Sequence, residues 1–294
     1  MVGLDALPGG GDYRKNGYTL MPTRNRGQQR QLQQIDTIIC GDNVATMQTF
    51  PGDCIDLTVT SPPYDNLRTY GGHSWDFEGV AQQLWRITKP GGVVVWVVAD
   101  ATVNGSETGT SFRQALRFME IGFRLHDTMI YHRQGAFPMD AAKRYWQDWE
   151  YMLILSKGSP KTFYPLKEKS VRVKGSQINA RRNVQGIPKH LSADVGRTAS
   201  GTKSLSNVWY IPAGSFMTED GAAFRHPAIF PESLARDHIL SWSNEGDLVL
   251  DPFNGSGTTT KMARAMGRRW LGIEVNPDYC EIARKRMKQQ VLGF

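Results

Sequence analysis

"DLVLDPFNGSGTTTKMARAMG" (247–267) reads as a strand that turns through Asp-Pro-Phe and a glycine-rich bend into a helix. Gly255 and Gly257 allow a sharp turn and a close backbone approach to a ligand. Thr258 and Thr259 fall at the start of the helix, where N–H groups without intrahelical partners face outward. The stretch lacks the lysine of GxxxxGK[ST], so a triphosphate loop is disfavoured, and its spacing is not GxGxxG. The next strand, in "RWLGIEVNPDY" (269–279), ends on Glu274, about twenty residues past the glycines. An acid there can accept hydrogen bonds from both hydroxyls of a ribose; taken alone it also fits a helix-capping or surface acid. With the bend before it, a nucleotide-type cofactor is the favoured reading.

Outward from this unit, strand and helix alternate. "DTIICGD" (36–42), "CIDLTVT" (54–60), "LHDTMIYHR" (125–133) and "WEYMLILSK" (149–157) have strand patterning. "VVVWVVA" (93–99) is apolar at every position, as a strand covered on both faces would be. "FEGVAQQLWRITKPGG" (77–92), "SFRQALRFMEIGF" (111–123), "FPESLARDHILSWS" (230–243) and the stretch from Pro277 have helical spacing. "NVWYIP" (207–212) reads as ordered chain. The alternation predicts an α/β sheet with helices on its faces. Residues 1–34, rich in Gly, Gln and Arg without apolar periodicity, predict a flexible N-terminal arm. Residues 158–205 break the alternation and read as an insert in a catalytic domain formed by 35–157 and 206–294.

Charge is concentrated in that insert. The chain of 294 residues has a net charge of +7, yet Lys157–Lys203 alone holds eleven Lys/Arg against two Asp/Glu. Such a block is either a solvated surface or a contact for a polyanion. Hydrophobic content of 40 % and charged content of 21 % fit a globular chain rather than a disordered one. The longest apolar run, 91–101, is about half a membrane span, so no membrane partner is expected. No secretory signal is visible at the N-terminus. Cys40, Cys54 and Cys280 are widely separated, and the six histidines are scattered. Neither set has metal-ligand or disulfide-framework spacing, so no metal and a reducing, cytoplasmic setting are expected.

A second corner follows the strand at 54–60: Ser61-Pro62-Pro63-Tyr64. Alone, a double proline after a strand is a stiff surface turn. Taken with "DPFNGSGTT", "GIEVNPDY" and "HPAIFPESL", however, "TSPPY" resembles the catalytic motif of the S-adenosylmethionine-dependent DNA amino-methyltransferases. The order, catalytic motif first and cofactor motif last, is that of the family's β group. "ICGDNVATMQTFPGDCIDLTVTSPPY" (39–64) is similar as a block to the opening of that catalytic domain, and the likeness spans about 36–157 and 206–294.

The resemblance implies a Rossmann-like, seven-stranded mixed sheet with one reversed strand. It implies that Asp251, Phe253, Gly255 and Gly257 line the methionine end of an S-adenosyl-L-methionine site to which Ser256 and Thr258 also belong. Glu274 would hold the ribose and Asp42 would stand near the adenine. Phe230, Pro231 and Leu234 would close over the methionine side. The catalytic group would be Ser61, Pro62, Pro63 and Tyr64. In the family SPPY usually accompanies N4-cytosine methylation and DPPY N6-adenine methylation, so Ser61 favours cytosine, with adenine the alternative. A DNA-binding protein without catalysis is the alternative from another class.

The chemistry suits the motif. An exocyclic amino group is a poor nucleophile because its lone pair is delocalised into the ring. Two acceptors aimed at its hydrogens localise that lone pair and stabilise the charge that develops on nitrogen. Tyr64 offers a face for an extruded base to stack on. Flipping a base out of duplex DNA needs contacts elsewhere, and the basic insert is the expected supplier through Lys167, Lys169, Arg172, Lys174, Arg181, Arg182, Lys189 and Arg197. The loop 65–77 is expected to cover the flipped base, and Arg144, Tyr145 and Trp146 are read as wedge or stacking groups, with core packing the alternative for the two aromatics. A homodimer and a cognate restriction endonuclease are both compatible with the resemblance.

Overall fold

The computed structural model describes residues 32, 34–63, 75–134, 144–145, 147–170, 174, 200–212 and 230–288. In chain order the strands are β1 (Thr37–Cys40), β2 (Ile55–Thr60), β3 (Thr88–Val98), β4 (Thr102–Val103), β5 (Ser106–Glu107), β6 (Arg124–Gln134), β7 (Trp149–Ser156), β8 (Lys167–Lys169), β9 (Thr202–Ser204), β10 (Val208–Pro212), β11 (Leu248–Asp251) and β12 (Arg269–Glu274). The helices are α1 (Asn43–Gln48), α2 (Phe77–Ile87), α3 (Thr110–Ile121), α4 (Glu232–Trp242), α5 (Thr258–Ala265) and α6 (Pro277–Lys288).

Eight strands form the main sheet in the order β1-β12-β11-β2-β3-β7-β6-β10. Only β7 is reversed, antiparallel to both β3 and β6. The expected class and the single reversed strand are present, with one strand more than the seven implied. The addition is β10, which pairs in parallel along the outer edge of the long β6, from Val208↔Ile130 to Pro212↔Gln134. Its alternation explains the docking: Trp209 and Ile211 are buried while Tyr210 faces out.

The sheet is covered on both faces. Val94, Trp96 and Val98 of β3 join one core with Val80, Ala81, Leu84 and Ile87 of α2 and Phe118 of α3. Val93, Val95 and Val97 join a second core with Leu234, Ala235 and Ile239 of α4 and Met262 and Ala263 of α5. Period-two alternation in an all-apolar strand thus feeds two separate interiors. Helix α2 stops at Ile87 rather than running to the glycines, and Thr88 is already extended. Lys89 precedes Pro90, which disfavours helical backbone there.

The order in which strands are added reverses between the parallel neighbours β2 and β11. From β2 the chain passes through α2, on one face, to β3. From β11 it passes through α5, on the other face, to β12. Neighbouring parallel strands whose connections leave in opposite senses create a crevice at their carboxyl ends, where ligands bind in open α/β sheets.

Candidate active site

Both motif corners stand at that reversal. β2 runs into Ser61-Pro62-Pro63, and β11, its parallel neighbour, runs into Pro252-Phe253. The two strand ends are tied side chain to side chain. Thr60 Oγ1 donates to Asp251 Oδ1 at 2.7 Å, and the same oxygen accepts the Phe253 N–H at 3.0 Å. Thr259 Oγ1, in the first turn of α5, donates to the Val59 carbonyl at 3.1 Å. Pro62 is buried, and Ser61 and Pro63 are half-buried. Tyr64 and the loop 65–74 lie outside the described residues.

The bend is held by backbone and carboxylate together. Gly255 (φ 47°) and Gly257 (φ 83°) both take left-handed conformations, and Gly257 caps α5. Glu274, at the end of β12, accepts the Gly255 N–H on Oε2 at 2.7 Å and the Asn276 N–H on Oε1 at 2.9 Å. The expected ribose acid therefore also fixes the shape of the bend. Asn254 accepts from Thr260 Oγ1 at 3.0 Å, and its buried Nδ2 makes no hydrogen bond. Gly272 of β12 leaves the room for this: a Cβ there would stand 2.5 Å from the Asn254 side chain.

Asp251 is almost fully buried. Burial pushes its carboxyl up to about 6, against the downward pull of the hydrogen bonds from Thr60 and Phe253 and of the nearby Thr259 hydroxyl, and the charge on Glu274 adds to the rise. Two acids at one glycine bend suit a ligand with a cationic group and a pair of hydroxyls. Phe253 packs edge-on to Trp75 at 5.0 Å and near Trp96 at 6.1 Å, which anchors the turn to the first core.

The other expected residues fall as follows. Asp42 is exposed and caps α1, accepting the Ala45 N–H at 2.7 Å. The adjacent Gly41 N–H bonds to the Glu274 carbonyl at 2.9 Å, so Asp42 leaves the sheet beside Glu274. Asn43 Nδ2 reaches the Pro252 carbonyl at 3.3 Å. Phe230 is half-buried, Pro231 precedes α4, and Leu234 is fully buried in the second core. Ser256 and Thr258 are buried, and both accept from Arg286 of α6. The sequence reading missed Thr60, Asn254 and Arg286. For Arg286 the available signal was helical phase: it lies three residues after Ala283 on a helix whose buried stripe is Cys280, Ala283 and Met287.

Of the basic residues, Lys167 and Lys169 lie on one face of the exposed two-stranded ribbon β8–β9, beside Ser204 and Thr202. Lys203, on the other face, pairs with Glu168 at 3.0 Å. Lys174 is exposed; Arg172, Arg181, Arg182, Lys189 and Arg197 lie outside the described residues. The chain leading to the ribbon is pinned to the core. Lys161 bonds the buried Asp56 at 2.9 Å, Phe163 stacks on Trp242 at 4.6 Å, and Tyr164 N–H reaches the Ser241 carbonyl at 2.8 Å. Tyr145 is 99 % exposed, so it is not a core residue, and Trp146 lies outside the described residues. Among the described residues no cluster of His, Cys, Asp and Glu is arranged to hold a metal ion, and no helix is long and apolar enough to cross a membrane.

Residues 55–285 match the DNA methylase family N6_N4_Mtase. The chain belongs to this DNA methylase family. A methylase relative, the orphan methyltransferase M.BamHII of Bacillus amyloliquefaciens, is 52 % identical over 249 residues, covering 82 % of this chain and 92 % of that one. Among solved structures, the PvuII DNA methyltransferase (cytosine-N4-specific) has a TM-score of 0.63 at 20 % identity, covering 87 % of each chain, a likeness of fold. The Thermus thermophilus protein TTHA0409, solved in complex with S-adenosyl-L-methionine, has a TM-score of 0.58 at 28 % identity, covering 88 % of this chain and 95 % of that one. The chain is thus an S-adenosylmethionine-dependent DNA methylase with a Rossmann-like fold.

Proposed function

We propose that this methylase transfers a methyl group to the N4 amino group of cytosine in duplex DNA, acting on a base flipped out of the helix. The observation that carries the reading is the junction of the two corners. The Ser61-Pro62 turn leaves β2 directly beside the Asp251 turn of β11, with Thr60 and Asp251 hydrogen-bonded at 2.7 Å. Cofactor and acceptor sites on adjacent strand ends bring an amine and a methyl donor into one crevice.

When bound, S-adenosyl-L-methionine supplies an electrophilic methyl group on a sulfonium. The buried Asp251 and the bend at Phe253, Gly255, Ser256, Gly257 and Thr258 would hold its methionine end, and Glu274 its ribose. Asp42 would lie toward the adenine, and Phe230, Pro231 and Leu234 would wall the methionine side. Ser61 Oγ and the Pro62 carbonyl accept hydrogen bonds from the amino hydrogens of the target base. Pro62 restricts the backbone of Ser61, and Pro63 that of Pro62, so both acceptors are oriented before the base arrives. Neutral Ser61 performs this task without adding a further charge to the buried acids Asp251 and Glu274.

The lysine-bearing face of β8–β9 supports the insert as the DNA-contacting module. A two-stranded ribbon fits the major groove, and lysines flanked by hydroxyls suit phosphate contact. A DNA substrate and three unpaired cysteines fit a cytoplasmic enzyme.

The test is nucleoside mass spectrometry of DNA incubated with the protein and S-adenosylmethionine, together with base-resolution mapping. N4-methylcytosine is the expected product, and N6-methyladenine would move the assignment to the other amino group. Ser61→Ala should lower kcat about a hundredfold or more with cofactor affinity retained. Failure of the wild-type protein to modify either base in DNA would overturn the enzymatic reading.

A further inference from the structure

Arg286 of α6 has a side chain with 0 % exposure, deep among residues of the cofactor bend. Its Nη1 donates to the Ser256 carbonyl at 2.7 Å, to Ser256 Oγ at 3.0 Å and to Thr258 Oγ1 at 3.2 Å. Its Nη2 donates to Glu232 Oε1 at 2.8 Å. Glu232 begins α4 immediately after Pro231, and the same oxygen accepts from Lys261 Nζ of α5 at 2.8 Å. A single guanidinium therefore links three segments distant in sequence: the terminal helix, the 256–258 bend and the 230–234 stretch.

A buried guanidinium is tolerated only where its donors are paired, and its planar fork fixes the partners in direction as well as in distance. Both contacts lie at the start of a helix rather than along one. Ser256 lies in a turn, and Glu232 lies in the first turn of a helix whose preceding residue gives no side-chain cap. Helix α6 is itself firmly seated, with Cys280, Ala283 and Met287 packed on Ile38 of β1. Ala283 also presses on the bend: a Cβ on Gly257 would come within 3.0 Å of its Cβ. The seated helix thus carries the fork to the starts of α5 and α4.

We propose that Arg286 is a positioning residue for the cofactor, a clamp that holds the glycine bend and the Phe230–Leu234 stretch at a fixed separation through Ser256 and Glu232. The inference rests on the reading of those two segments as walls of the S-adenosylmethionine site. Arg286 lies behind the bend and acts through the backbone it holds.

The test compares Arg286→Met and Arg286→Lys with the wild-type protein and with Asp251→Ala. The Met variant leaves Glu232 paired with Lys261, and the Lys variant keeps the charge without the fork. Calorimetry with S-adenosylmethionine should show binding weakened about ten- to a hundredfold in both Arg286 variants, the range for loss of hydrogen bonds from a charged group. KM for the cofactor should rise in step, while kcat at saturating cofactor and the affinity for DNA stay within about twofold. Glu232→Gln should weaken binding less in the Arg286→Met background than in the wild type. If Asp251→Ala loses cofactor while both Arg286 variants bind like the wild type, the clamp is refuted and the site stands. If Asp251→Ala also binds like the wild type, the site is misassigned and the clamp falls with it. Equal losses of kcat, cofactor affinity and DNA affinity would reduce Arg286 to a general structural role and refute the proposal. Should Arg286→Met not fold, as judged by circular dichroism, Arg286→Lys is judged by the same criteria.

Discussion

Asp251→Asn should separate the electrostatic cost of the cofactor turn from its geometry. In the folded chain burial raises the Asp251 carboxyl from its ordinary 3.8 to about 6. Between those values the native state holds a proton that the unfolded state has lost. Stability therefore falls as pH rises from about 4 to about 6, and the loss persists above that window. Roughly two pKa units at 1.36 kcal/mol each make the full effect about 3 kcal/mol. Asn is nearly isosteric. Its Oδ1 can accept from Thr60 Oγ1 and the Phe253 N–H as Asp251 Oδ1 does. Its amide can donate to Thr259 Oγ1, whose proton goes to the Val59 carbonyl. Urea unfolding of both proteins from pH 4 to 7.5 measures the difference, and any pH-independent contribution of the substitution cancels. The expected result is a stability of Asp251→Asn, relative to wild type, that improves by about 2.4 kcal/mol from pH 4 to pH 7.5, the rest of the effect lying below pH 4. A difference that does not change with pH would mean that Asp251 ionises as an exposed acid does, and the closed turn described above would be wrong. The same variant should bind S-adenosylmethionine more weakly at neutral pH, because a neutral amide no longer complements a cationic ligand.

His238 makes the opposite pH contribution. Buried against Trp209 at 4.5 Å and Met152, it is held down to about 3, so stability present above pH 6.5 is lost as pH falls. His238→Phe should flatten the acid limb of the urea-stability profile by about 1.4 kcal/mol per pH unit below 6.5, and an unchanged slope would contradict this. Gly257→Ala combines a left-handed backbone at φ 83° with a Cβ 3.0 Å from Ala283, so it should cost at least about 1–2 kcal/mol of stability and weaken cofactor binding. Chemical denaturation and calorimetry read both effects, and wild-type values would refute the tight seat of α6. Lys167→Ala with Lys169→Ala should lower the slope of log affinity for duplex DNA against log salt by roughly two. An unchanged slope would remove the ribbon β8–β9 from the DNA interface.

Much of the fold was legible because local rules and tertiary demands agree in this chain. "VVVWVVA" at 93–99 can only be a strand with two apolar faces, and the two cores divide its residues by parity. The glycines at 255 and 257 announced a sharp turn, and both adopt positive backbone angles in it. β10 was less legible because a five-residue edge strand is specified by the open edge of β6 rather than by its own pattern. Early termination of α2 was masked by residues compatible with either structure until Pro90.

By itself the sequence determined the class of fold, the order of its motifs and the residue types at the two corners, since periodicity, turn chemistry and glycine placement act over short spans. Tertiary structure alone decided the partnerships. Thr60 meets Asp251 across 191 positions, and Arg286 meets Ser256 and Glu232 from a helix whose phase turns it inward but names no partner. Such contacts depend on strand order and helix seating, which are set by the burial of two whole cores, and no local pattern in the chain encodes them.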